Sequence, residues 1–212
     1  MNHSDKIILS KTVISTWKRI LLPNSHDYDD CVAAFEQQYG IKIPPFPERC
    51  LTVKTQNTSY IRVRSNSIPM LIDKGYADAG LVFSDVIEEY ENASALTYQQ
   101  LAGPELNFCL LIPEEKEATL LQRLYSSAAP PLVVATAYPR FLQKCLKQIE
   151  QNGKKLNVVL SDLPVYGAVE AMCELGVADV VADVVKTGAS ARANKLLIIS
   201  LDKIHPTLLY KT

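Results

Sequence analysis

The stretch that decides the fold is Asp183-Val-Val-Lys-Thr-Gly-Ala-Ser190, which follows the apolar residues 178–181. The apolar residues predict a buried strand, and Thr187, Gly188 and Ser190 predict a turn that leads into a helix. Glycine lets a main chain come close to a ligand, and successive N–H groups with hydroxyl side chains form a concave anion site. The stretch therefore predicts a site for a phosphate monoester, although an ordinary strand, turn and capped helix would have the same local pattern.

Outward from this stretch, strands and helices alternate along the chain. The predicted strands are residues 19–23, 51–55, 60–63, 79–83, 106–112, 132–136, 157–160, 178–181, 194–200 and 207–210. The predicted helices are residues 29–39, 68–74, 114–126, 140–152 and 165–175. This alternation predicts an α/β fold with largely parallel sheets. Residues 91–104 have the weakest pattern and predict a crossing between two lobes, with a return near Arg192.

Composition restricts the classes of partner. The chain has 212 residues, enough for one large domain or two lobes, and its net charge is −1. It therefore lacks the overall basic field that nucleic-acid binding needs, and it contains no run of about 20 apolar residues that would span a membrane. Five cysteines occur without a CxxC pair, so neither a zinc site nor a dithiol redox centre is supported. We expect a cytoplasmic protein that builds any polyanion site locally.

The spacing around the loop resembles a known family. Gly167-Ala-Val-Glu170, Gly176-Val-Ala-Asp179, the stretch 183–190 and Asn194 follow one another within 28 residues. They resemble Gly-Ser-Val-Glu, Gly-Leu-Ala-Asp, Asp-x-x-x-Thr-Gly-x-Thr and a following Asn in the catalytic subunit of ATP phosphoribosyltransferase. Here Ala168 stands for Ser and Ser190 for Thr.

The resemblance extends to residues 19–210. Val63-Arg-Ser-Asn-Ser-Ile-Pro69 is similar to the family's Val-Arg-x-x-Asp-Val-Pro, and Ala135-Thr-Ala-Tyr-Pro139 to its Ala-Thr-Lys-Tyr-Pro. Residues 76–86 resemble its Ala-Asp-Leu-Gly-Ile-Val-Gly-Lys-Asp-Val, and residues 19–23 resemble its opening strand.

The resemblance implies two α/β lobes like those of type II periplasmic binding proteins, hinged by two crossings. Residues 1–18 would form an N-terminal extension, residues 19–102 and 192–212 lobe I, and residues 103–191 lobe II. We expect the only tryptophan, Trp17, to anchor the extension on the chain itself.

The activity that the resemblance implies is transfer of ribose 5-phosphate from phosphoribosyl pyrophosphate to N1 of the adenine of ATP. This reaction is the first step of histidine biosynthesis and uses Mg²⁺ with the pyrophosphate substrate. Short-form members work with a regulatory subunit, and members assemble as homodimers or larger oligomers. The implied catalytic residues are Arg64, Glu170 and Asp183. The implied phosphate- and ribose-binding residues are Asp183, Val184, Val185, Lys186, Thr187, Gly188, Ala189 and Ser190.

Departures from the family pattern remove basic residues. The family's Lys-Gly-Arg is Asn24-Ser25-His26 here, its Gly-Lys before Asp85 is Phe83-Ser84, and the Lys before Tyr138 is Ala137. The acceptor side would then consist of Asn24, His26, Phe83 and Tyr138. Phe83 would either fill the cleft or stack on a ring, and Tyr138 would otherwise pack at the start of a helix.

Other cations could replace the missing ones. The candidates are Arg62, Arg64, Lys186, Arg192 and His26, although Arg62 on its own predicts a solvated strand residue. Two alternatives to the histidine-pathway reaction stay open on these departures. One is a paralogue with another acceptor, and the other is a non-catalytic subunit that binds a phosphoribosyl or nucleotide ligand.

Overall fold

A computed structural model describes residues 9–25, 28–165, 167 and 169–211. The chain forms two compact units, one up to Glu105 and from His205 onward, the other Leu106–Ile204. It therefore passes between the units twice, as the resemblance implies. The chain goes back to the first unit at His205 and not near residue 192, because residues 196–204 pair with residues 106–113 inside the second unit.

The elements alternate much as the sequence predicts. The strands are β1 Arg19–Pro23, β2 Thr52–Lys54, β3 Ser59–Val63, β4 Ala79–Phe83, β5 Thr97–Gln100, β6 Leu106–Pro113, β7 Leu132–Thr136, β8 Val158–Leu160, β9 Val180–Val185, β10 Leu196–Ile204 and β11 Pro206–Tyr210. The helices are α1 Lys11–Ile14, α2 Tyr28–Tyr39, α3 Ile68–Asp73, α4 Ser84–Glu89, α5 Glu117–Leu124, α6 Pro139–Gln151, α7 Ala171–Glu174 and α8 Ala189–Ala193. Short 3-10 turns occur at Ser65–Ser67, Ala93–Ala95 and Glu114–Lys116.

The first unit contains a six-stranded sheet in the order β2-β3-β1-β4-β11-β5. The central strand β1 runs parallel to β3 and β4, whereas β2, β5 and β11 pair antiparallel with their neighbours. The expectation of largely parallel sheets is therefore wrong, and the sheet is mixed. The stretch 91–104, which the sequence predicts to be a crossing, contains the strand β5. This strand forms because its main chain pairs with β11 at the edge of the sheet.

One face of this sheet packs on α3. Leu21 of β1, Ile68 and Ile72 of α3 and Leu209 of β11 belong to one buried cluster. Pro69 occupies the first turn of α3, where its missing N–H leaves no hydrogen bond broken. This packing fixes β1 in the middle of the sheet, with its carboxyl end at Pro23 next to the carboxyl end of β3.

The second unit contains a five-stranded sheet in the order β10-β6-β9-β7-β8. β7 runs parallel to β8 and β9, while β6 pairs antiparallel with β9 and β10. Two predictions change here. β9 continues through Asp183 to Val185 because residues 107–109 of β6 pair with it, and the helix predicted at 165–175 shortens to α7. Gly167 has φ +97°, which a right-handed helix cannot include.

Both units use one device to align parallel strands. In the first, the Asp78 carboxylate accepts hydrogen bonds from Lys18 N at 2.7 Å and Arg19 N at 2.8 Å. In the second, the Asp179 carboxylate accepts from Val133 N at 2.9 Å and also pairs with Arg123 at 3.1 Å. Each aspartate precedes the strand that lies beside the one it contacts. We call Asp78 and Asp179 the register locks, because each fixes the alignment of two neighbouring strands.

The segment before β1 is tied to the first unit. The Trp17 ring lies 5.8 Å from the Tyr210 ring, centroid to centroid, and Thr58 Oγ1 donates to Trp17 O at 2.9 Å. The prediction that Trp17 anchors on the chain itself is confirmed. Within the described ranges, none of the helices is both long and apolar enough to cross a membrane.

Candidate functional site

The predicted phosphate loop lies between the end of β9 and the start of α8. Val185 ends the strand, Lys186 and Thr187 turn the chain, and Gly188 has φ +71°, a left-handed conformation that favours glycine. A Cβ at Gly188 would lie 3.0 Å from Arg192 Nη1 and 3.1 Å from Ile198 Cδ1. The left-handed backbone therefore favours glycine here, and a side chain would also displace Arg192 and Ile198 by a few tenths of an ångström.

The loop borders a cavity of about 180 Å³. Its lining consists of Leu111, Glu170, every residue from Asp183 to Ser190, and Ala191. All eight residues predicted to bind phosphate or ribose are therefore brought together at one site. Asn194 donates through Nδ2 to Ser190 O at 2.9 Å, so the last residue of the motif fixes the main chain that follows the loop.

Asp183 is the strongly perturbed acid of this cavity. It lies on β9 opposite Cys109, and burial raises the pKa of its carboxyl to about 6, with the charge of Glu170 adding to the rise. A hydrogen bond from Val184 N to Oδ1, 2.8 Å long, lowers this pKa but does not cancel the other effects. Asp183 therefore changes charge near the pH at which enzymes work, as acid–base and charge-stabilising groups often do.

Glu170 contacts the loop directly. Ser190 Oγ donates to Glu170 Oε1 at 2.7 Å, which places a carboxylate where a phosphate oxygen would accept the same hydrogen bond. Glu170 precedes α7, and the left-handed Gly167 precedes it by three residues. Two of the three predicted catalytic residues, Asp183 and Glu170, thus line one cavity.

Two basic side chains lie at the same loop. Lys186 is an exposed member of the cavity wall, and Arg192 Nη1 approaches Gly188 as described above. Tyr138 also belongs to this unit, where its ring meets Phe108 edge-on at 5.8 Å and its main-chain N donates to Thr136 Oγ1 at 2.9 Å. These contacts agree with a packing role for Tyr138 at the start of α6.

The remaining predicted residues belong to the first unit. Asn24 N donates to Val63 O at 2.8 Å, so Asn24 and Arg64 lie at the adjacent carboxyl ends of β1 and β3. Arg64 is exposed and precedes the 3-10 turn at residues 65–67. Phe83 is buried, with 3% of its surface exposed, at the end of β4. His26 lies outside the described residues.

Arg62 differs from its prediction as a solvated strand residue. Its Cζ lies 4.0 Å from the ring centroid of Tyr28 and 4.1 Å from that of Phe46. The rings are 6.0 Å apart and perpendicular, so the guanidinium occupies the corner between them. Tyr28 lies 34 positions and Phe46 lies 16 positions before Arg62 in the sequence. No local pattern could have revealed this corner, because it depends on how α2 and residue 46 pack beside β3.

Comparison with known proteins connects this geometry to a family. The family model described as ATP phosphoribosyltransferase matches residues 64–209, which include Arg64, Glu170 and the whole loop. The chain belongs to the ATP phosphoribosyltransferase family. It is therefore a transferase of the phosphoribosyltransferase type, and its ATP phosphoribosyltransferase relatives support a role in histidine biosynthesis.

Individual relatives agree with the family model. An ATP phosphoribosyltransferase of Pyrococcus furiosus is 25% identical over 182 residues, covering 86% of this chain and 81% of the relative. One of Gemmatimonas aurantiaca is 32% identical over 181 residues, covering 84% of this chain and 58% of the relative.

Solved structures confirm the fold class. The "ATP phosphoribosyl transferase (HisG:HisZ) complex from Thermotoga maritima" aligns with a TM-score of 0.64 at 19% identity, covering 92% of this chain and 87% of the other. An ancestral amino acid-binding protein aligns with a TM-score of 0.53 at 10% identity, covering 92% and 81%. The predicted resemblance to type II periplasmic binding proteins is thus confirmed.

Proposed function

We propose that this member of the family transfers ribose 5-phosphate from phosphoribosyl pyrophosphate to N1 of the adenine of ATP. The single observation that carries the proposal is the cavity at residues 183–190, within the part of the chain that the family model matches. Relatives named ATP phosphoribosyltransferase support the histidine-pathway reaction. They do not favour the alternatives of a paralogue with another acceptor or a non-catalytic subunit.

The loop has the chemistry to bind the 5-phosphate of the donor. The residues that line the cavity carry main-chain N–H groups and the hydroxyls of Thr187 and Ser190, which are donors of the kind that phosphate binds. Lys186 and Arg192 supply positive charge beside it. The donor phosphate would replace the Glu170 carboxylate as acceptor of the Ser190 hydroxyl hydrogen bond.

The two acids would act on the ribose. When ionised, Asp183 and Glu170 accept hydrogen bonds from ribose hydroxyls and stabilise the positive charge that develops at the anomeric carbon. In the reaction the bond from that carbon to the diphosphate oxygen breaks, and the diphosphate leaves with the electron pair. The lone pair of adenine N1 forms the new bond. Arg64 would stabilise the negative charge on the leaving group.

Mg²⁺ belongs with the donor substrate in this proposal. Diphosphate oxygens are hard ligands of the kind that Mg²⁺ prefers, and Mg²⁺ commonly binds proteins through substrate phosphates. A regulatory subunit as partner, a homodimeric or larger assembly and a cytoplasmic location complete the proposal. The Thermotoga maritima neighbour is described as a HisG:HisZ complex, which supports a partner subunit.

A direct assay tests the reaction. The protein is incubated with phosphoribosyl pyrophosphate, Mg²⁺ and ATP, and the absorbance of the adenine adduct is followed with and without a partner subunit. We expect adduct formation that depends on the donor. Donor binding by calorimetry without any adduct would refute the ATP reaction and favour another acceptor, whereas a lack of donor binding would refute the phosphoribosyl site itself.

A further inference from the structure

The corner at Arg62, defined by Arg62, Tyr28 and Phe46, lies at the end of the first unit's sheet where ligands of α/β proteins bind. Arg62 pairs in register with Leu22, one residue before β1 and β3 both end. The chain then continues into Asn24 on one side and Arg64 on the other. In α/β sheets, the carboxyl ends of parallel strands are the usual location of ligand sites.

The side chain of Arg62 contacts two rings, and the described part of the chain provides no polar partner for it. The two ring contacts at 4.0 and 4.1 Å attract the cation without using any of its N–H donors. Its Nε is buried and has no hydrogen-bond partner. Among the residues that the structure describes, no carboxylate forms an ion pair with it. A guanidinium offers five donors, and although the buried Nε–H cannot reach a ligand, the two terminal NH2 groups of this half-buried side chain remain to bind an anion.

Arg62 and Arg64 form a pair with useful spacing. Side chains alternate along an extended chain, and Arg64 has the extended dihedral angles φ −61° and ψ 134°. The two arginines therefore share one face, with Cα atoms roughly 6.6 Å apart. Each of two linked phosphates can be contacted by its own cation at this separation, so a polyphosphate gains more from the pair than a single phosphate does.

The geometry points to Arg62 as a second polyphosphate-binding residue of the first unit, acting together with Arg64. This inference rests on the proposed function, in which both the acceptor ATP and the released diphosphate carry linked phosphates. Arg62 would partly replace the basic residues that Asn24-Ser25-His26 lacks.

Calorimetry of the full chain with four probes tests the inference. ATP and diphosphate carry linked phosphates, AMP carries one, and ribose 5-phosphate reports the loop of the second unit. With Arg62→Gln, we expect dissociation constants for ATP and diphosphate to rise about tenfold to hundredfold, as for loss of a charge-assisted hydrogen bond. AMP and ribose 5-phosphate should change less than threefold. Arg19→Gln, at the opposite end of β1, is the matched control.

The probes separate the two sources of polyphosphate. If Arg62→Gln weakens the binding of ATP alone, the acceptor is the ligand of Arg62. If it weakens the binding of diphosphate alone, the leaving group is that ligand. Unchanged affinity for both, or an equal loss for AMP, would overturn the inference. If Arg62→Gln does not fold, Arg62→Lys keeps the charge without the planar donors, and we expect at least a fivefold loss; unchanged affinity would again overturn it.

The test is independent of turnover. Wild-type protein that binds diphosphate through Arg62 but forms no adduct would refute the proposed reaction and leave this inference standing. Adduct formation at the wild-type rate by Arg62→Gln, with unchanged diphosphate affinity, would refute the inference and leave the reaction standing.

Discussion

The phosphate loop of the second unit and the strand ends of the first unit solve the same problem by different means. The loop offers main-chain N–H groups around a glycine in the left-handed conformation. The strand ends offer side chains, with Arg62 set in an aromatic corner and Arg64 exposed beyond it. A main-chain site needs glycine and small residues at fixed positions, so it leaves a motif. A side-chain site can move its cation to a neighbouring position and leave no motif.

The largest effect should come from closing the loop. Gly188→Asp places a side chain where only 3.0 Å separates a Cβ from Arg192 Nη1, and adds a negative charge to an anion site. We expect the affinity for ribose 5-phosphate, measured by calorimetry, to fall more than about 100-fold, since the site loses both space and charge complementarity.

Gly153→Asp is the control for this variant. Gly153 also has a left-handed φ of +79°, but a Cβ there would meet nothing within 4 Å. Both changes impose similar backbone strain, about 1–2 kcal/mol, and Gly188→Asp should lower thermal stability somewhat more because it also crowds Arg192 and Ile198. Similar losses of ribose 5-phosphate affinity in the two variants would contradict the placement of the phosphate at Gly188.

Asp183→Asn should give the next largest effect, on turnover. The variant keeps the shape of the side chain but cannot become anionic, so we expect kcat/KM to fall about 100-fold. Because the pKa of Asp183 is raised to about 6, wild-type kcat/KM should rise with pH through that value. The exposed Asp162→Asn is the control, and it should keep the wild-type profile. A rising limb near pH 6 that survives Asp183→Asn would assign the titration to another group.

The same substitution should increase stability. The folded-state pKa of Asp183 lies above its unfolded value of 3.8, so the folded protein binds more protons between about pH 4 and pH 6. The free energy of unfolding therefore decreases as pH rises through this window. At pH 8 we expect Asp183→Asn to raise it by about 1 to 2 kcal/mol, measured by urea unfolding. A variant that is less stable than wild type at pH 8 would contradict the burial argument.

The two register locks allow a direct test of whether the units are built alike. Asp78→Ala removes two exposed hydrogen bonds to main-chain N–H groups, and Asp179→Ala removes a partly buried one, so each should lower the free energy of unfolding by about 1–2 kcal/mol. Asp179→Ala should cost more because it also leaves Arg123 without its ion pair. If urea unfolding of either variant shows a negligible loss of stability, the two aspartates do not stabilise their units in the same way.

The smallest expected effect is a gain in affinity. Glu170→Gln keeps an acceptor for the Ser190 hydroxyl but removes a negative charge from the cavity. We expect inorganic phosphate and ribose 5-phosphate to bind about three- to fivefold more tightly while kcat decreases. Glu174→Gln removes the same charge one turn along the chain and should change affinity less. Weaker phosphate binding by Glu170→Gln would mean that Glu170 supports the empty loop rather than competing with phosphate.

Sequence alone predicts the parts of this protein that depend on local chemistry. β4 and β7 have the predicted bounds because each is a short buried run between clear breaks. The loop was predicted because glycine, hydroxyls and an acid have fixed spacing. The sequence does not predict the length of β9 or the return of the chain through β10, because both depend on pairing with residues of β6 that are 70 or more positions away.

The chemistry of the site divides in the same way. The grouping of residues 183–190 followed from their order in the chain, whereas the contact between Glu170 and Ser190 spans 20 positions. The raised pKa of Asp183 results from burial under neighbouring elements, which no single stretch of sequence encodes. The position of Arg62 is not encoded locally either, since the two rings that it contacts belong to α2 and to Phe46.

The hydrogen bond between Ser190 and Glu170 has a consequence for which solutes can enter the loop. A tethered carboxylate competes at an effective concentration on the order of millimolar or more, however dilute the protein is. Weakly binding monovalent anions at ordinary cellular levels would lose that competition. A phosphate dianion that also carries a ribose brings enough additional contacts to win, so the protein's own acid would act as a filter against small anions.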